Sequence, residues 1–327
     1  MTSDKPLLYR FEFKTLKCIR SIVKRLLRRT RTKVSKTRIL DDLGKFGVRR
    51  GDTLYVFSSL SSIGDVIGGS STVINALAEA VGTEGTLVFP CFSLVGNEMT
   101  KTLESGRVFD SKTTPCTLGS IPETFRKRPG VFRSIHPSHS VCAIGSKAEL
   151  ITQGHEDCNT TFGKGTPFDK MFHLNAKVLL LGVDIRVITF YHYFEDLTEN
   201  FPVSVYCEKE YEAKVLVNGK VKRVKIRAHA PKVAQRRIDH RDGEVNREYL
   251  MKYLISQGVL KRGFVGEAKS WIINATDLME ALKEMLKRNV TIYSSKEEII
   301  RLQSRSAQIE LGSNAYELLG RSNELSM

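Results

Sequence analysis

The chain has 327 residues, of which 41% are hydrophobic and 27% are charged, and its formal net charge is +15 at pH 7. This composition is typical of a globular protein, and the length is sufficient to bury a substantial core. No apolar run approaches the ~20 residues that cross a bilayer, and basic residues interrupt the N-terminus where a secretion signal needs an apolar block. These features argue against a secreted or membrane-spanning protein and predict a cytosolic one.

The positive charge is concentrated in the first 38 residues, which contain thirteen Lys or Arg and two acidic residues. Apolar residues from Leu16 to Leu27 recur there at helical spacing beside basic ones, a pattern typical of a helix that lies on an anionic membrane. We therefore predict a basic helical arm, residues 1–37, and peripheral membrane contact through residues 1–38. A helix packed on the domain, with its basic side in solvent, is the alternative. No nucleic-acid partner is expected, because the arm lacks stacking aromatic residues interleaved with its basic ones and no recognition motif follows it.

After the arm, predicted strands alternate with predicted helices. The pair Asn218-Gly219 between Tyr211–Val217 and Lys220–Ile226 is a strong signal for a hairpin. This order predicts an α/β fold, a layered α/β/α domain with a central mixed sheet over residues 38–302, followed by a polar tail over residues 303–327. The predicted strands are 53–57, 86–90 and 177–183, and the predicted helices are 37–47, 71–81, 122–127, 247–257 and 275–288.

The loop from Ser58 to Gly69 is rich in serine and glycine and precedes a predicted helix that Ser70, Ser71 or Thr72 would cap. Its backbone amides and hydroxyls are suited to an anion at the start of that helix. A turn that glycine permits is the alternative interpretation, since the loop matches neither a Walker loop nor a dinucleotide fingerprint.

The six cysteines are scattered without a C-x-x-C pair, which predicts reduced, mostly buried thiols rather than a zinc ribbon or a disulfide framework. Cys91 lies just past a predicted strand, where a covalent route through its thiol is conceivable, but no nearby base is evident. The cysteines are Cys18, Cys91, Cys116, Cys142, Cys158 and Cys207.

The segment Arg133-Ser-Ile-His136-Pro-Ser-His139-Ser140 places two imidazoles, a guanidinium and hydroxyl groups within eight residues. Together with His192 and Glu195, it offers the side chains of a two-histidine, one-carboxylate metal site, but the spacing matches no such template. Recognition of an acyl or phosphate group suits the mixture better, so no metal is expected.

The segment Thr189-Phe-Tyr-His192-Tyr-Phe-Glu195 follows the third predicted strand. If it is helical, His192 and Glu195 lie three residues apart on one face, where the carboxylate can orient the imidazole as a general base. A pair of neighbours on the protein surface is the alternative interpretation.

Six segments carry a resemblance to a known family: Gly51-Asp-Thr-Leu-Tyr-Val-Phe-Ser58-Ser59-Leu60, Gly85-Thr-Leu-Val-Phe-Pro90, Phe109-Asp110, Arg133-Ser134-Ile-His136-Pro137, Leu180-Leu181-Gly182-Val183 and Thr189-x-x-His192-x-x-Glu195. In order and spacing, they resemble the aminoglycoside 3-N-acetyltransferase family over about residues 38–288. The resemblance implies the transfer of an acyl group, usually acetyl, from coenzyme A to an amine of a sugar-like acceptor.

The resemblance also implies the roles of individual residues. His192 would take the proton from the attacking amine, Glu195 would orient it, and Thr189 would donate a hydrogen bond to the developing oxyanion. Acetyl-CoA would be the donor, and no metal would take part. The residues implied to contact the coenzyme are Ser58, Ser59, Ser62, Gly64, Gly69, Arg133, Ser134 and Ser140, and those expected to contact the acceptor are Asp110, His136 and Arg237.

The charge of the segment from Arg227 to Arg241 departs from what a polycationic aminoglycoside needs. It contains one acid, Asp239, among seven basic or imidazole side chains, whereas each ammonium of an antibiotic requires a paired carboxylate. We therefore predict an acceptor with an anionic group, such as a nucleotide- or lipid-linked amino sugar of surface polysaccharide synthesis. A lipid-linked acceptor would place the protein at the inner face of the membrane.

Other interpretations remain open at this point. The basic segment is equally compatible with a solvated loop, in which case an aminoglycoside acceptor and antibiotic resistance would follow the family name. A noncatalytic coenzyme A-binding or membrane-tethered scaffold would keep the fold without turnover. A metal-dependent hydrolase would instead carry a stoichiometric metal ion.

Overall fold

The computed structural model describes residues 32–304. The predicted amphipathic helix of the arm lies outside the described residues, as does the predicted polar tail after residue 304. The strands are β1 (Lys33–Val34), β2 (Thr53–Ser58), β3 (Asp65–Val66), β4 (Thr86–Pro90), β5 (Val108–Phe109), β6 (Phe132–Arg133), β7 (Val141–Gly145), β8 (Lys177–Leu181), β9 (Tyr206–Val217), β10 (Lys220–His229), β11 (Lys261–Val265) and β12 (Ala268–Asn274). The helices are α1 (Lys36–Lys45), α2 (Gly69–Val81), α3 (Met99–Glu104), α4 (Ser120–Arg126), α5 (Ala148–Thr152), α6 (Pro167–His173), α7 (Phe190–Leu197), α8 (Pro231–Ala234), α9 (Glu244–Ser256) and α10 (Ala275–Lys287).

A seven-stranded sheet in the order β11-β12-β8-β2-β4-β7-β6 forms the centre of the fold. The three middle strands, β8, β2 and β4, are parallel, whereas the strands on either side join them in antiparallel pairs. The predicted mixed sheet is confirmed. Its three predicted strands are these middle ones, which are continuously apolar because both of their faces are buried.

Each face of the sheet is covered by helices. Leu54 and Val56 of β2 pack into one core with α1, α2 and α4, whereas Tyr55 and Phe57 point into the other core with α6, α7, α9 and α10. Successive strand residues point to opposite faces, so one apolar run supplies both cores. The α/β/α layering predicted from the alternation of elements is therefore confirmed.

The long hairpin of β9 and β10 forms a separate three-stranded sheet with β5. Asn218 and Gly219 both have positive φ, as a type I′ turn requires. The pairing register shifts between Arg227 and His229, at the end of β10. The predicted hairpin is confirmed and is longer than predicted, and its irregular end turns toward the central sheet's strand ends.

The N-terminal boundaries differ from the predicted ones. β1 pairs with β3, and α1 begins at Lys36 after the N-cap Ser35, whose side chain accepts from the amide of Arg38. The boundary predicted between residues 37 and 38 thus falls inside α1. The predicted hydroxyl cap of α2 is wrong: the helix begins at Gly69 after Gly68, whose left-handed φ of 83° supplies the turn instead.

Among residues 32–304, no helix combines the length and the apolarity that crossing a membrane requires.

Candidate active site

A cleft of about 800 Å³ opens at the carboxyl ends of the parallel strands. Ser58 at the end of β2, Pro90 at the end of β4 and Val183 just after β8 line it. Side chains from the end of the hairpin and the segment after it, 229–240, form the opposite wall. The carboxyl ends of parallel strands are where open α/β sheets bind ligands.

The helix α7 brings His192 and Glu195 together at this cleft. The Nδ1 atom of His192 lies 2.9 Å from Oε2 of Glu195, and both side chains are buried. Residues three apart on a helix share a face, so the predicted helix and the predicted contact are both present. Because the pair is buried and His192 lines the cleft, it is not a pair of surface neighbours.

Arg237 fixes the protonation pattern of the imidazole. Its Nη1 atom lies 3.3 Å from Nε2 of His192, and a guanidinium can only donate hydrogen bonds. The ring therefore accepts at Nε2 and carries its proton on Nδ1, which donates to Glu195. Burial, followed by the charge of Arg237, lowers the pKa of His192 well below its usual range. His192 is thus a neutral imidazole whose lone pair is on the atom facing Arg237.

Glu195 is surrounded by groups that act on its charge. Burial raises its pKa to about 7, while His229, Tyr293 and Arg237 act in the opposite direction. The Nε2 atom of His229 lies 3.8 Å from Oε2 of Glu195 and has no hydrogen-bond partner within residues 32–304. Two imidazoles therefore flank one carboxylate, since the rings of His192 and His229 are 4.4 Å apart.

His229 and Tyr293 were not predicted as site residues. In the sequence, His229 is only one member of a basic segment, because the register shift that turns it inward leaves no local signature. Tyr293 lies in the short connection after α10, more than ninety residues from Glu195, where no local pattern indicates it. For His229, the only signal in the sequence was its position just after a predicted strand.

His192, Glu195 and His229 together offer the donor atoms of a metal site, since one ligand atom from each lies within 4.8 Å of the others. The Nδ1 proton of His192 is donated to Glu195, and Nε2, the nitrogen left for a metal ion, faces the cationic guanidinium of Arg237. The hydrogen bonds are therefore those of an oriented base rather than of a metal ligand.

Thr189 and Ser58 line the cleft beside His192. The Thr189 hydroxyl lies 3.3 Å from the hydroxyl of Tyr55, and the buried Ser58 hydroxyl makes no hydrogen bond to the part of the chain that the structure describes. The other residues of the Ser/Gly loop lie away from the cleft wall. Ser62 donates to Ser59 at 2.9 Å.

Gly64 and Gly69, also predicted to contact coenzyme A, are likewise not among the residues that line this cleft. Gly64 has a φ of 112°, and a Cβ atom there would be 3.0 Å from Cγ2 of Val34 in β1. Gly69 is the first residue of α2. Their contacts with coenzyme A stay predictions, and the structure gives Gly64 a role in packing β1 against the loop.

Arg133 does not line the cleft. Its guanidinium donates to the carbonyl oxygens of Cys91 and Thr114 at 2.9 and 2.5 Å and to the Ser140 hydroxyl at 3.0 Å. Ser140 in turn donates to the same Cys91 carbonyl at 2.7 Å. These bonds join the end of β4 to β6 and β7, so the donors predicted to neutralise a phosphate are directed at protein atoms.

Three more predicted site residues also lie outside the cleft wall. Ser134 is buried, with its hydroxyl 3.0 Å from Nδ1 of His155. Asp110 closes a turn by accepting from the amide of Lys112 at 2.9 Å. Their predicted contacts with ligands stay predictions, as does that of His136.

His136 belongs to a buried network behind the cleft. Its Nδ1 accepts from the amide of His139 at 3.0 Å, and its ring stacks on that of His155 at 4.5 Å. His139 lines the cleft, and its ring is 5.4 Å from that of Phe162, which also lines it. The dense segment recognised in the sequence therefore supports the cleft wall from behind.

Cys91 is fully buried and does not line the cleft. A hydrogen bond with Cys116 lowers its pKa, but a hydrogen bond with Cys142 and burial together raise it above the usual value. The thiolate is the nucleophilic form of cysteine. The environment of Cys91 therefore disfavours a covalent route through it.

The fold and the site define a class of protein. A neutral imidazole, oriented by a carboxylate in a cleft at the strand ends, is suited to an enzyme that takes a proton from a bound acceptor. Residues 55–287 match the family described as aminoglycoside 3-N-acetyltransferase, and the chain belongs to this family. As the sequence predicted, it is an acetyl-CoA-dependent N-acetyltransferase.

Relatives and solved structures agree with this assignment. Aminoglycoside N(3)-acetyltransferase VII of Streptomyces paromomycinus is 30% identical over 271 residues, which cover 78% of this chain and 92% of the relative. The prophage-derived aminoglycoside N(3')-acetyltransferase-like protein YokD of Bacillus subtilis (strain 168) is 36% identical over 188 residues, 53% of this chain and 69% of its own. The structure of AAC-VIa bound to sisomicin is similar with a TM-score of 0.68 and 26% identity, covering 79% of this chain and 99% of that one.

Proposed function

We propose that this enzyme transfers the acetyl group of acetyl-CoA to the amine of an amino sugar that also carries an anionic group. The observation that carries the proposal is the buried hydrogen bond between His192 and Glu195 at the cleft, which leaves Nε2 of a neutral ring as the proton acceptor. An ammonium ion cannot attack a thioester, so the reaction needs such a base near neutral pH.

The proposed reaction is one of general-base catalysis. Nε2 of His192 takes a proton as the amine nitrogen attacks the thioester carbonyl, and the imidazolium is stabilised by Glu195. The tetrahedral oxyanion then expels the thiolate of coenzyme A, which recovers the proton from His192. Thr189, on the same wall of the cleft, is the proposed donor to the oxyanion, and Ser58 is the proposed cleft contact of the coenzyme.

The charges of the cleft support the anionic acceptor. The two acidic residues that line it already have partners: Asp239 accepts from Arg237 at 2.6 and 2.8 Å, and Glu98 accepts from Lys101 at 2.7 Å. A second ammonium of an antibiotic would therefore find no unpaired carboxylate among the described residues of the wall. Sisomicin and apramycin are named as the ligands of related structures, and we infer a different acceptor class here.

The same reasoning favours a nucleotide- or lipid-linked amino sugar, as used in surface polysaccharide synthesis. The exposed residues Lys232 and Arg236 lie on the segment that forms one wall, and Arg241 directly follows it; positive potential there raises the local concentration of an anionic acceptor. Membrane contact through residues 1–38 would place a lipid-linked acceptor at this cleft. That contact stays a prediction, since residues 1–31 lie outside the described part of the chain.

The proposal is tested by thiol release from acetyl-CoA with the full chain and a panel of acceptors: glucosamine, glucosamine 6-phosphate, UDP-glucosamine and sisomicin. We expect release with the anionic amino sugars and little with sisomicin. Efficient release with sisomicin alone would favour the aminoglycoside acceptor and antibiotic resistance. Binding of coenzyme A without release from any acceptor would favour a scaffold.

A further inference from the structure

Arg237 is hydrogen-bonded to Nε2 of His192, the atom that must accept a proton in the proposed reaction. Its Nη1 donates to Nε2 of His192 at 3.3 Å, so in the cleft as described the lone pair of the base is already used. The attacking amine requires the same lone pair. An amino sugar that binds here must therefore compete with Arg237 for the hydrogen-bonding site of His192.

Asp239 holds the rest of the guanidinium in place. Nε of Arg237 donates to Oδ1 at 2.6 Å and Nη2 donates to Oδ2 at 2.8 Å, a bidentate pair in which both side chains are partly exposed. Such a pair fixes the plane of the guanidinium. Nη1 is the guanidinium nitrogen that makes no bond to Asp239, and it is the one that faces His192.

The guanidinium has five N–H donors and no acceptor. Its Nη1 corner can exchange a neutral imidazole for an anionic oxygen while the bidentate pair with Asp239 stays intact. A hydrogen bond between two charged groups is stronger than one to a neutral nitrogen. The exchange is therefore favourable whenever an anionic group of the acceptor reaches Nη1.

We propose that Arg237 couples recognition of the acceptor to release of the base: the anionic group of the acceptor takes the Nη1 donor, and Nε2 of His192 becomes free to take the amine proton. This inference rests on the proposed function and adds the residue that determines its substrate class. Amino sugars without an anionic group bind to an enzyme in which Arg237 is still hydrogen-bonded to His192, and they react slowly.

The test compares glucosamine 6-phosphate with glucosamine in the full-length enzyme and in Arg237→Met, which keeps an unbranched stem and removes every donor. We expect the wild-type enzyme to favour the phosphate ester in kcat/KM. In the variant this preference falls about 10- to 100-fold, the size of a hydrogen bond to a charged group. The KM for glucosamine 6-phosphate rises, while kcat for glucosamine increases because Nε2 is released.

Two further variants serve as controls. Arg262→Gln alters an exposed arginine of β11 that does not line the cleft, and should keep the preference of the wild-type enzyme. Arg237→Lys keeps a positive charge and is expected to fold. A single ammonium, however, cannot form the bidentate pair with Asp239 and also offer a third donor that moves from His192 to the anionic group. It should retain part of the affinity for the phosphate ester without the high kcat.

The outcomes separate the inference from the proposed function. A wild-type enzyme that acetylates glucosamine 6-phosphate no faster than glucosamine would contradict the proposed acceptor class and the inference with it. A wild-type preference for the phosphate ester that persists in Arg237→Met would overturn the inference alone. Loss of the preference in Arg237→Met together with faster acetylation of glucosamine supports both.

Discussion

The imidazole of His229 lies against the carboxylate that orients the base, with its Nε2 atom 3.8 Å from Oε2 of Glu195. It reaches this position because the pairing of β10 with β9 shifts register just before it. Its ring stacks on that of Phe162, with centroids 5.5 Å apart and an angle of 18° between the planes. The hairpin thus adds His229 to the site that His192 and Glu195 form on α7.

His229→Ala should shift the acid limb of the pH profile upward. Burial lowers the pKa of His229 itself, but in its charged form this imidazole opposes the effect of burial on Glu195, so without it the pKa of this carboxyl rises. The carboxyl is then more protonated at neutral pH and orients the imidazole less well. We expect kcat/KM to fall about 5- to 10-fold at pH 7 and to recover partly at about pH 8.5. An equal loss at both pH values would show that His229 acts otherwise.

Glu195→Gln should separate the charge of this residue from its shape. The amide still reaches His192 but cannot stabilise an imidazolium, so we expect kcat to fall by about two to three orders of magnitude. Binding of coenzyme A, measured by calorimetry, should be unchanged. If kcat changed by less than about threefold, the carboxylate would not be needed for the proton transfer.

The buried carboxyl of Glu195 also makes stability depend on pH. Its pKa is about 7 in the folded protein and near 4.5 in the unfolded chain, so the folded state binds more protons between these values. The contribution of Glu195 to the free energy of unfolding therefore falls as pH rises from about 4.5 to 7 and is constant above. Melting temperatures of wild type and Glu195→Gln across this range should reveal it. As pH rises, the melting temperature of the variant should increase relative to that of the wild type. Parallel profiles would contradict the assignment.

Gly64→Ala tests whether this residue acts in packing or on the coenzyme. At its φ of 112°, a Cβ atom would press against Val34, and we expect a loss of about 1–3 kcal/mol in the free energy of unfolding with an unchanged KM for acetyl-CoA. Gly44→Ala is the matched control. Gly44 lies inside α1, where an added Cβ atom would have no neighbouring atom within 4 Å. This substitution should raise the free energy of unfolding by about 1 kcal/mol. A raised KM for acetyl-CoA without loss of stability would favour the coenzyme role of Gly64.

The sequence predicted the features that depend on local pattern. Continuous apolar runs identified β2, β4 and β8, because strands buried on both faces need no alternation. Asn218-Gly219 identified the hairpin, since few other pairs adopt positive φ twice in succession. The spacing of His192 and Glu195 placed them on one face of α7, and the structure adds that this face is buried.

Other features depend on contacts between distant segments and were not predictable. The density of polar groups from Arg133 to Ser140 indicated a ligand site, but Arg133 donates to carbonyl oxygens from other loops. His229 and Tyr293 reach Glu195 only through the hairpin's irregular end and the connection after α10. No local periodicity records such contacts, because they arise from the packing of whole elements.

The central claim is that His192 is the general base of an N-acetyltransferase. The most direct test is the rate of thiol release from acetyl-CoA, with an anionic amino sugar, by wild type, His192→Ala and the control His173→Ala, whose imidazole is exposed on α6. We predict that His192→Ala loses about 10²- to 10⁴-fold in kcat while it still binds coenzyme A, and that His173→Ala matches the wild type. A His192→Ala enzyme as fast as the wild type would contradict the account.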